Sequence, residues 1–199
     1  MARSYGGEPA VTGDRETLTA EVAAAVLRAG GIVAHPTEAV WGLACDPASE
    51  AATLRLLALK QRSVDKGLIL VAASPAQLDR HVDWNALPPA RCDAMLASWP
   101  GPNTWIVPAS AAVPAWIRGA HASVAVRVTA HAPAAALCTA FGGAIVSTSA
   151  NPAGAPPPHA FAGIDPAILQ GIDAVLEGGT GSLDRPTTIR DALTGAILR

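Results

Sequence analysis

The chain has 199 residues, of which 50% are hydrophobic and 15% charged, and its formal net charge at pH 7 is −2. This composition indicates a folded globular protein and excludes a disordered one, and the length fits a single domain over residues 1–199 with its own core. Pro, Gly, Arg or Asp interrupts every apolar run before it reaches the length of a membrane span.

The N-terminus lacks the apolar core of a signal peptide, so we expect a cytoplasmic protein with a flexible extension over residues 1–14. The three cysteines, Cys45, Cys92 and Cys138, are far apart and form no CxxC pair. This spacing favours buried, inert thiols over a disulfide framework or a zinc site.

The first predicted elements are a helix and a strand. Residues 15–31 have Leu18, Val22 and Val26 at four-residue steps before two glycines, which predicts an amphipathic helix with a glycine stop. Residues 31–36 then predict a strand that ends at a proline.

A second helix is predicted over residues 49–62. Ser49 stands at the N-cap position, and Leu54, Leu57 and Ala58 are expected on one face.

The rest of the chain continues the alternation of helices and apolar strands, and the Pro-rich segment 151–160 predicts a loop. Further helices are predicted from Ser74–Pro75 and over residues 88–99 and 133–143. Further strands are predicted over residues 67–74, 104–110, 123–129, 143–150, 173–178 and 187–193. This order predicts an α/β fold in which helices cover a mixed sheet.

The only two lysines of the chain, Lys60 and Lys66, lie six residues apart with Arg62 between them. Cations favour helix C-termini because they offset the helix dipole, which explains Lys60 and Arg62 but not Lys66, beyond the predicted helix. Three cations in a loop before a strand can also surround a triphosphate. Since the net charge is slightly negative, any phosphate site must depend on such a local cluster.

Two polar segments follow predicted strands. Thr37 and Glu38 either bind a substrate at the end of the sheet or form a local turn with a side-chain hydrogen bond. Ser147, Thr148, Ser149 and Asn151 suit contacts to phosphate, ribose or an amino acid. The segment around them lacks GxSxG, so we assign no catalytic nucleophile or general base. The chain also lacks a Walker loop, GxGxxG and HExxH.

Arg127 interrupts an otherwise apolar strand. An unpaired buried guanidinium is very costly, so its partner is either an internal Asp or Glu or the carboxylate of a substrate. The five histidines show no metal-ligand spacing, and we predict no metal site in the protein.

Six blocks in order along the chain resemble the YrdC/TsaC family of threonylcarbamoyl-AMP synthases, in its short single-domain bacterial form. They are PTEAVWGLACDP, LLALKQRSVDKGLILVAA, WPGPNTWIVPA, SVAVRVTAH, STSANPAG and RPTTIRDALTGAILR. The resemblance implies an open, twisted, mixed sheet with flanking helices around a concave basic cavity.

The resemblance also implies a reaction. L-threonine, bicarbonate and ATP, with Mg²⁺, give threonylcarbamoyl-AMP and pyrophosphate for the t6A modification of adenosine 37 in tRNA. A tRNA contact and transfer of the adenylate to the t6A threonylcarbamoyltransferase complex are further partners that the family suggests.

Site residues carry over from the family by matching position. Those that resemble the threonine-binding set are Thr37, Arg127, Ser147 and Thr187. Those that resemble the ATP-binding set are Lys60, Arg62, Lys66, Ser123, Ser149, Asn151 and Arg199. The chain departs from the family at His35 and Trp41, where Tyr or Phe is more frequent, so the wall of the cavity is altered in shape.

Two alternatives stay open at this point. One is a noncatalytic module that binds double-stranded RNA or tRNA, against which the net charge counts. The other is a carbamoyltransfer domain of hydrogenase maturation, whose additional acylphosphatase and CxxC zinc segments do not fit within 199 residues.

Overall fold

The computed structural model describes residues 16–185 and 187–199. The predicted flexible extension, residues 1–14, lies outside these described residues. No helix in the described part of the chain is long and apolar enough to cross a membrane.

The described strands form one twisted, open sheet with the order β1-β8-β2-β3-β7-β4-β6-β5-β9. The sheet is mixed: β4 is parallel to β6, for example, but antiparallel to β7. The strands are β1 (Thr17–Leu18), β2 (Val33–Pro36), β3 (Trp41–Cys45), β4 (Ile69–Ala72), β5 (Asn103–Pro108), β6 (Ser123–Val128), β7 (Ile145–Ser149), β8 (Ala174–Leu176) and β9 (Thr188–Asp191). The prediction of an open mixed sheet with flanking helices is confirmed.

The described helices connect and cover these strands. They are α1 (Ala20–Arg28), α2 (Glu50–Leu59), α3 (Pro89–Ala97), α4 (Ala115–Arg118), α5 (Ala132–Phe141) and α6 (Pro166–Gly171). The predicted N-cap of α2 is confirmed, because the Ser49 side chain accepts a hydrogen bond from the Ala52 amide at 3.2 Å. The helix predicted from Ser74–Pro75 is a short 3₁₀ helix, Pro75–Leu78.

The core lies on both faces of the sheet. Because side chains alternate between the two faces of a strand, consecutive residues of one strand belong to different hydrophobic clusters. Leu43 and Leu70 belong to the larger cluster, which includes residues of α2 and α3. Ala44 and Val71 belong to the smaller cluster on the opposite face, which α1 and α5 cover.

The buried face of α1 differs from the predicted one. Leu18 lies in β1, and Val22 is 49% exposed, whereas Ala23, Ala24 and Leu27 are fully buried. The helix packs against α5, and small alanine side chains allow two helices to approach closely. Leu18 and Val26 are partly buried and pack against the same core, so of the three predicted residues only Val22 is exposed.

The predicted face of α2 is confirmed at Leu57 but wrong at Leu54 and Ala58. Leu54 is 44% exposed, and Ala58 is exposed as well, while Leu56 and Leu57 are buried. Leucines occur on both sides of this helix, so the four-residue spacing could not select the buried side.

The segment Pro36–Asp46 contains a strand that the sequence analysis missed. Trp41–Cys45 forms β3, antiparallel to β2, and all five of its residues are buried. A strand covered on both faces shows no apolar–polar alternation, which explains why no strand was predicted here.

The two leucines of α2 provide a matched test of the fold. We expect Leu56→Ala to lower the free energy of unfolding by about 2–5 kcal/mol, because it leaves a cavity in the core. Leu54→Ala should change it by less than about 1 kcal/mol, because that side chain is already largely solvated. Urea denaturation measures both values, and equal losses would contradict the assigned buried face.

Candidate functional site

The sheet face that α1 and α5 cover continues into a cavity of about 440 Å³. On β7, Ile145 lies in the core beneath these helices, while Ser147 and Ser149 point to the same side and line the cavity. On β4, Val71 is in that core and Ile69 lines the cavity. The cavity therefore begins where the helical cover of this face ends.

The cavity brings together most of the residues predicted from the family resemblance. Four cationic side chains contribute to its lining, and none of the described lining residues is Asp or Glu. The predicted site residues that line it are Thr37, Arg62, Lys66, Arg127, Ser147, Ser149, Asn151, Thr187 and Arg199. Lys60 and Ser123 lie outside this set.

Arg127 has an internal acidic partner. Its guanidinium pairs with the carboxylate of Glu38 from the turn after β2, and both residues are buried. Thr129 Oγ1 donates a 2.6 Å hydrogen bond to the same carboxylate. Burial alone would raise the pKa of Glu38, but the Arg127 charge and the Thr129 hydrogen bond hold it below the usual range. Of the two partners considered for Arg127, the protein itself supplies the acid.

Arg127 nevertheless faces the cavity. It is among the lining residues, and its Nε has no hydrogen-bond partner within the described chain. The ion pair with Glu38 uses NH1 alone. Glu38 thus fixes the guanidinium through NH1, and Arg127 retains further N–H groups that can donate hydrogen bonds.

Lys60 is buried behind the cavity wall. Its ammonium donates to the backbone carbonyl of Asn151 at 2.7 Å and also to that of Ser149, and its exposed fraction is 3%. The Ala153 amide donates back to the Lys60 carbonyl at 2.7 Å. Burial, with a smaller contribution from the Arg62 charge, lowers the pKa of Lys60 to about 8. Lys60 therefore ties the end of α2 to the loop that follows β7.

Arg62 and Lys66 approach the cavity from one loop. Arg62 is half-buried and donates to the Gly67 carbonyl at 3.0 Å, and burial lowers its pKa. Lys66 is exposed and ends a 3₁₀ turn that the Ser63 side chain caps. The chain then turns at Gly67, whose φ of 62° is rarely adopted by other residues.

Ser123 lines a smaller recess of about 120 Å³ beside the main cavity. Lys66, Gly67 and Leu68 line both spaces, so the recess and the cavity adjoin along this segment. Arg118 and His121 add basic side chains to the recess.

The remaining polar residues are held by local contacts. Thr37 Oγ1 donates to the Val40 carbonyl at 2.7 Å, so the predicted turn with a side-chain hydrogen bond is present, although Thr37 also lines the cavity. Thr187 lies 3.3 Å from the hydroxyl of Thr104, which is fully buried. The Arg199 guanidinium contacts the Thr187 carbonyl at 3.4 Å.

Other titratable residues offer little chemistry. Cys45 and Cys138 are buried, and burial raises the pKa of both thiols to about 12, which makes them unreactive as predicted. Cys92 is half-buried. Among the described residues there is no group of three His, Cys, Asp or Glu side chains that could hold a metal ion.

From the sequence, His35 was expected only to alter the shape of the cavity wall, and no role was assigned to Gly42 or Ile189. Gly42 and Ile189 line the cavity, and His35 contacts Ser147 from behind it. The register that places His35 beside Gly42 was not predicted, because β3 was not predicted as a strand.

The sequence and the fold match a known family. The Sua5/YciO/YrdC model, described as "Telomere recombination", matches residues 25–199. The chain belongs to the Sua5/YciO/YrdC family. It is 55% identical over 184 residues to a protein of Xanthomonas euvesicatoria pv. vesicatoria (strain 85-10) named threonylcarbamoyl-AMP synthase, covering 92% of this chain and 98% of the relative. A protein of the same name from Stenotrophomonas maltophilia (strain K279a) is 56% identical over 182 residues, with the same coverage.

Solved structures of the family show the same fold. P. abyssi Sua5 complexed with L-threonine matches with a TM-score of 0.80 and 32% identity over 89% of this chain. The match covers 52% of the Sua5 chain, so this protein spans about half of that length. E. coli YciO matches with a TM-score of 0.76 at 22% identity, over 90% of this chain and 87% of YciO.

The burial of Lys60 predicts a pH dependence of stability. Its folded pKa of about 8 lies below the ordinary 10.5, so the unfolded chain binds this proton more tightly. The contribution of Lys60 to the free energy of unfolding therefore rises as the pH rises from about 8 to 10.5.

The test compares the melting temperatures of wild type and Lys60→Met at pH 7, 8, 9 and 10. We expect the difference to shift in favour of wild type by a few degrees above pH 8, since Met lacks the titrating group. A difference that is constant with pH would show that the ammonium titrates normally.

Proposed function

We propose that this protein is an L-threonylcarbamoyladenylate synthase, which forms threonylcarbamoyl-AMP and pyrophosphate from L-threonine, bicarbonate and ATP. The observation that carries the proposal is the cavity of about 440 Å³, in which four cationic side chains and several hydroxyls converge without an acidic residue in the described lining. Identity of 55% to a relative named threonylcarbamoyl-AMP synthase favours this enzyme over a noncatalytic RNA-binding module.

The ATP phosphates would bind at the loop that carries Arg62 and Lys66. Arg62 can offer a fork of donors, and Lys66 an exposed point charge at the junction of the cavity and the recess. Ser149 and Asn151 face the same cavity from the loop after β7, and Ser123 faces the recess. We assign the recess of about 120 Å³ to the outer end of the triphosphate.

Lys60 takes a different role from the one its spacing suggested. Because its ammonium is occupied by the carbonyls of Ser149 and Asn151, it positions the loop that presents these two residues. We assign it to support of the ATP site and not to contact with a phosphate.

The amino acid would bind around Arg127, whose guanidinium suits a carboxylate held by two hydrogen bonds. Thr37, Ser147 and Thr187 line the same cavity and can bind the amine and hydroxyl of threonine. The L-threonine in the P. abyssi Sua5 structure supports threonine as the amino acid, because that protein shares the fold at 32% identity.

The reaction needs no protein nucleophile. The amine of threonine attacks bicarbonate and loses water, which gives an N-carboxylate. An oxygen of this carboxylate attacks the α-phosphorus, and the bond from phosphorus to the pyrophosphate oxygen breaks. Such transfers depend mainly on positioning and charge neutralisation, which cations and hydroxyls supply.

Mg²⁺ would enter with ATP as part of the substrate. The lining offers hydroxyl and amide oxygens and, among its described residues, no carboxylate side chain. This donor set suits an ion held mainly by phosphate oxygens and water.

The product is a reactive mixed anhydride, which a second enzyme must consume promptly. The threonylcarbamoyltransferase complex that modifies tRNA is the expected recipient, and the cytoplasm is the expected place of the reaction.

The direct test incubates the purified protein with L-threonine, bicarbonate, Mg²⁺ and ATP. Mass spectrometry should detect threonylcarbamoyl-AMP, and pyrophosphate should form in equal amount. Omission of threonine or bicarbonate should abolish both products. Release of pyrophosphate without the adenylate would contradict the proposal.

A second prediction concerns Lys66. Lys66→Ala should lower kcat/KM for ATP by about 10²-fold, because it removes a preorganised charge from the phosphates. Its melting temperature should stay close to that of wild type, since an exposed lysine contributes little to stability. Arg80→Ala removes an exposed cation outside the cavity and serves as the control. Equal kinetics in the two variants would remove Lys66 from the site.

A further inference from the structure

His35 lies behind the cavity and contacts one of its lining residues. It is fully buried in β2, and its Nε2 is 3.1 Å from the hydroxyl oxygen of Ser147 on β7. Ser147 lines the cavity and is itself 5% exposed. The contact therefore joins a buried imidazole to a hydroxyl at the cavity surface.

The hairpin register explains how the ring reaches a strand that is not its neighbour. His35 pairs with Gly42 on β3, and β3 separates β2 from β7 in the sheet. A Cβ atom at Gly42 would lie 3.1 Å from His35 Nε2. Because Gly42 has no side chain, the imidazole can pass over it and reach Ser147 on β7.

The imidazole is neutral at physiological pH. Burial, together with the nearby Arg127 charge, lowers the pKa of His35 to about 4. A neutral imidazole has one N–H and one bare nitrogen, so it either donates to the Ser147 hydroxyl or accepts from it. In both tautomers His35 occupies one side of the hydroxyl and fixes the direction of its remaining hydrogen bond.

We propose that His35 is a positioning residue, which holds the Ser147 hydroxyl in the orientation that binds the amino-acid substrate. The contact rests on geometry alone, whereas the identity of the ligand rests on the proposed function. The proposal requires that His35 act through Ser147, and it therefore differs from a packing role.

The kinetics of variants at His35 and Ser147 distinguish a positioning role of His35 from a packing role. We expect His35→Phe, which keeps a ring but loses its nitrogens, to raise KM for threonine by about 5- to 30-fold, in line with the loss of one buried hydrogen bond. KM for ATP should change less than about twofold. His35→Gln keeps a polar atom on a side chain of similar reach and should recover most of the loss.

The decisive comparison uses Ser147→Ala. If His35 acts through this hydroxyl, the double variant His35→Phe/Ser147→Ala should bind threonine no worse than Ser147→Ala alone. Effects that multiply in the double variant would overturn the proposal. So would an equal rise in KM for threonine and ATP.

A control comes from His81. This residue is 5% exposed, and burial lowers its pKa to about 4 as well, but it lies outside the cavity. His81→Phe should therefore leave KM for threonine unchanged. A rise equal to that in His35→Phe would overturn the assignment of a specific role to His35.

A readout without substrate makes the proposal independent of the reaction. The imidazole ¹⁵N shifts of His35 should change in Ser147→Ala, and those of His81 should not. This measurement also applies if His35→Phe fails to fold. Unchanged His35 shifts would overturn the proposal, while absence of threonylcarbamoyl-AMP from the wild-type reaction would overturn the proposed function only.

Discussion

The buried ion pair between Glu38 and Arg127 constrains the whole architecture. A guanidinium in a central strand must be neutralised, and its carboxylate comes from the turn after β2. In the sheet order β2 and β6 are four strand spacings apart, which is about 19 Å in a flat sheet. The sheet and this turn must therefore curve toward each other, and the cavity occupies the concave side that results.

The cavity is a continuation of the core and not a separate module. Ile145 packs under α1 and α5, and Ser147 follows on the same face of the same strand. The change from apolar to hydroxyl side chains coincides with the end of helical cover. Because rigid strands carry these hydroxyls, the packing of the core fixes their positions in the site.

The sequence predicted most of this fold because helices and apolar strands alternate clearly along the chain. The prediction failed where tertiary contacts decide the structure. Alanines form much of the buried face of α1, and β3 is covered on both sides. Nine of the residues that line the cavity had been predicted from motifs that resemble a family. The carbonyl partners of Lys60 and the acidic partner of Arg127 are 89 or more residues distant in the chain, and no local pattern could identify them.

A layer of buried groups supports the polar lining. Glu38 holds Arg127, Thr104 holds Thr187, and Lys60 holds the backbone after β7. Each of these contacts restricts a side chain or loop before a ligand binds. The conformational entropy of ordering these groups is therefore lost during folding and not during binding. A reaction that needs charge neutralisation but no nucleophile gains most from such preorganisation, because fixed donors need not reorganise as charge shifts at phosphorus. The low reactivity of the individual residues is thus consistent with an active site that acts through their positions.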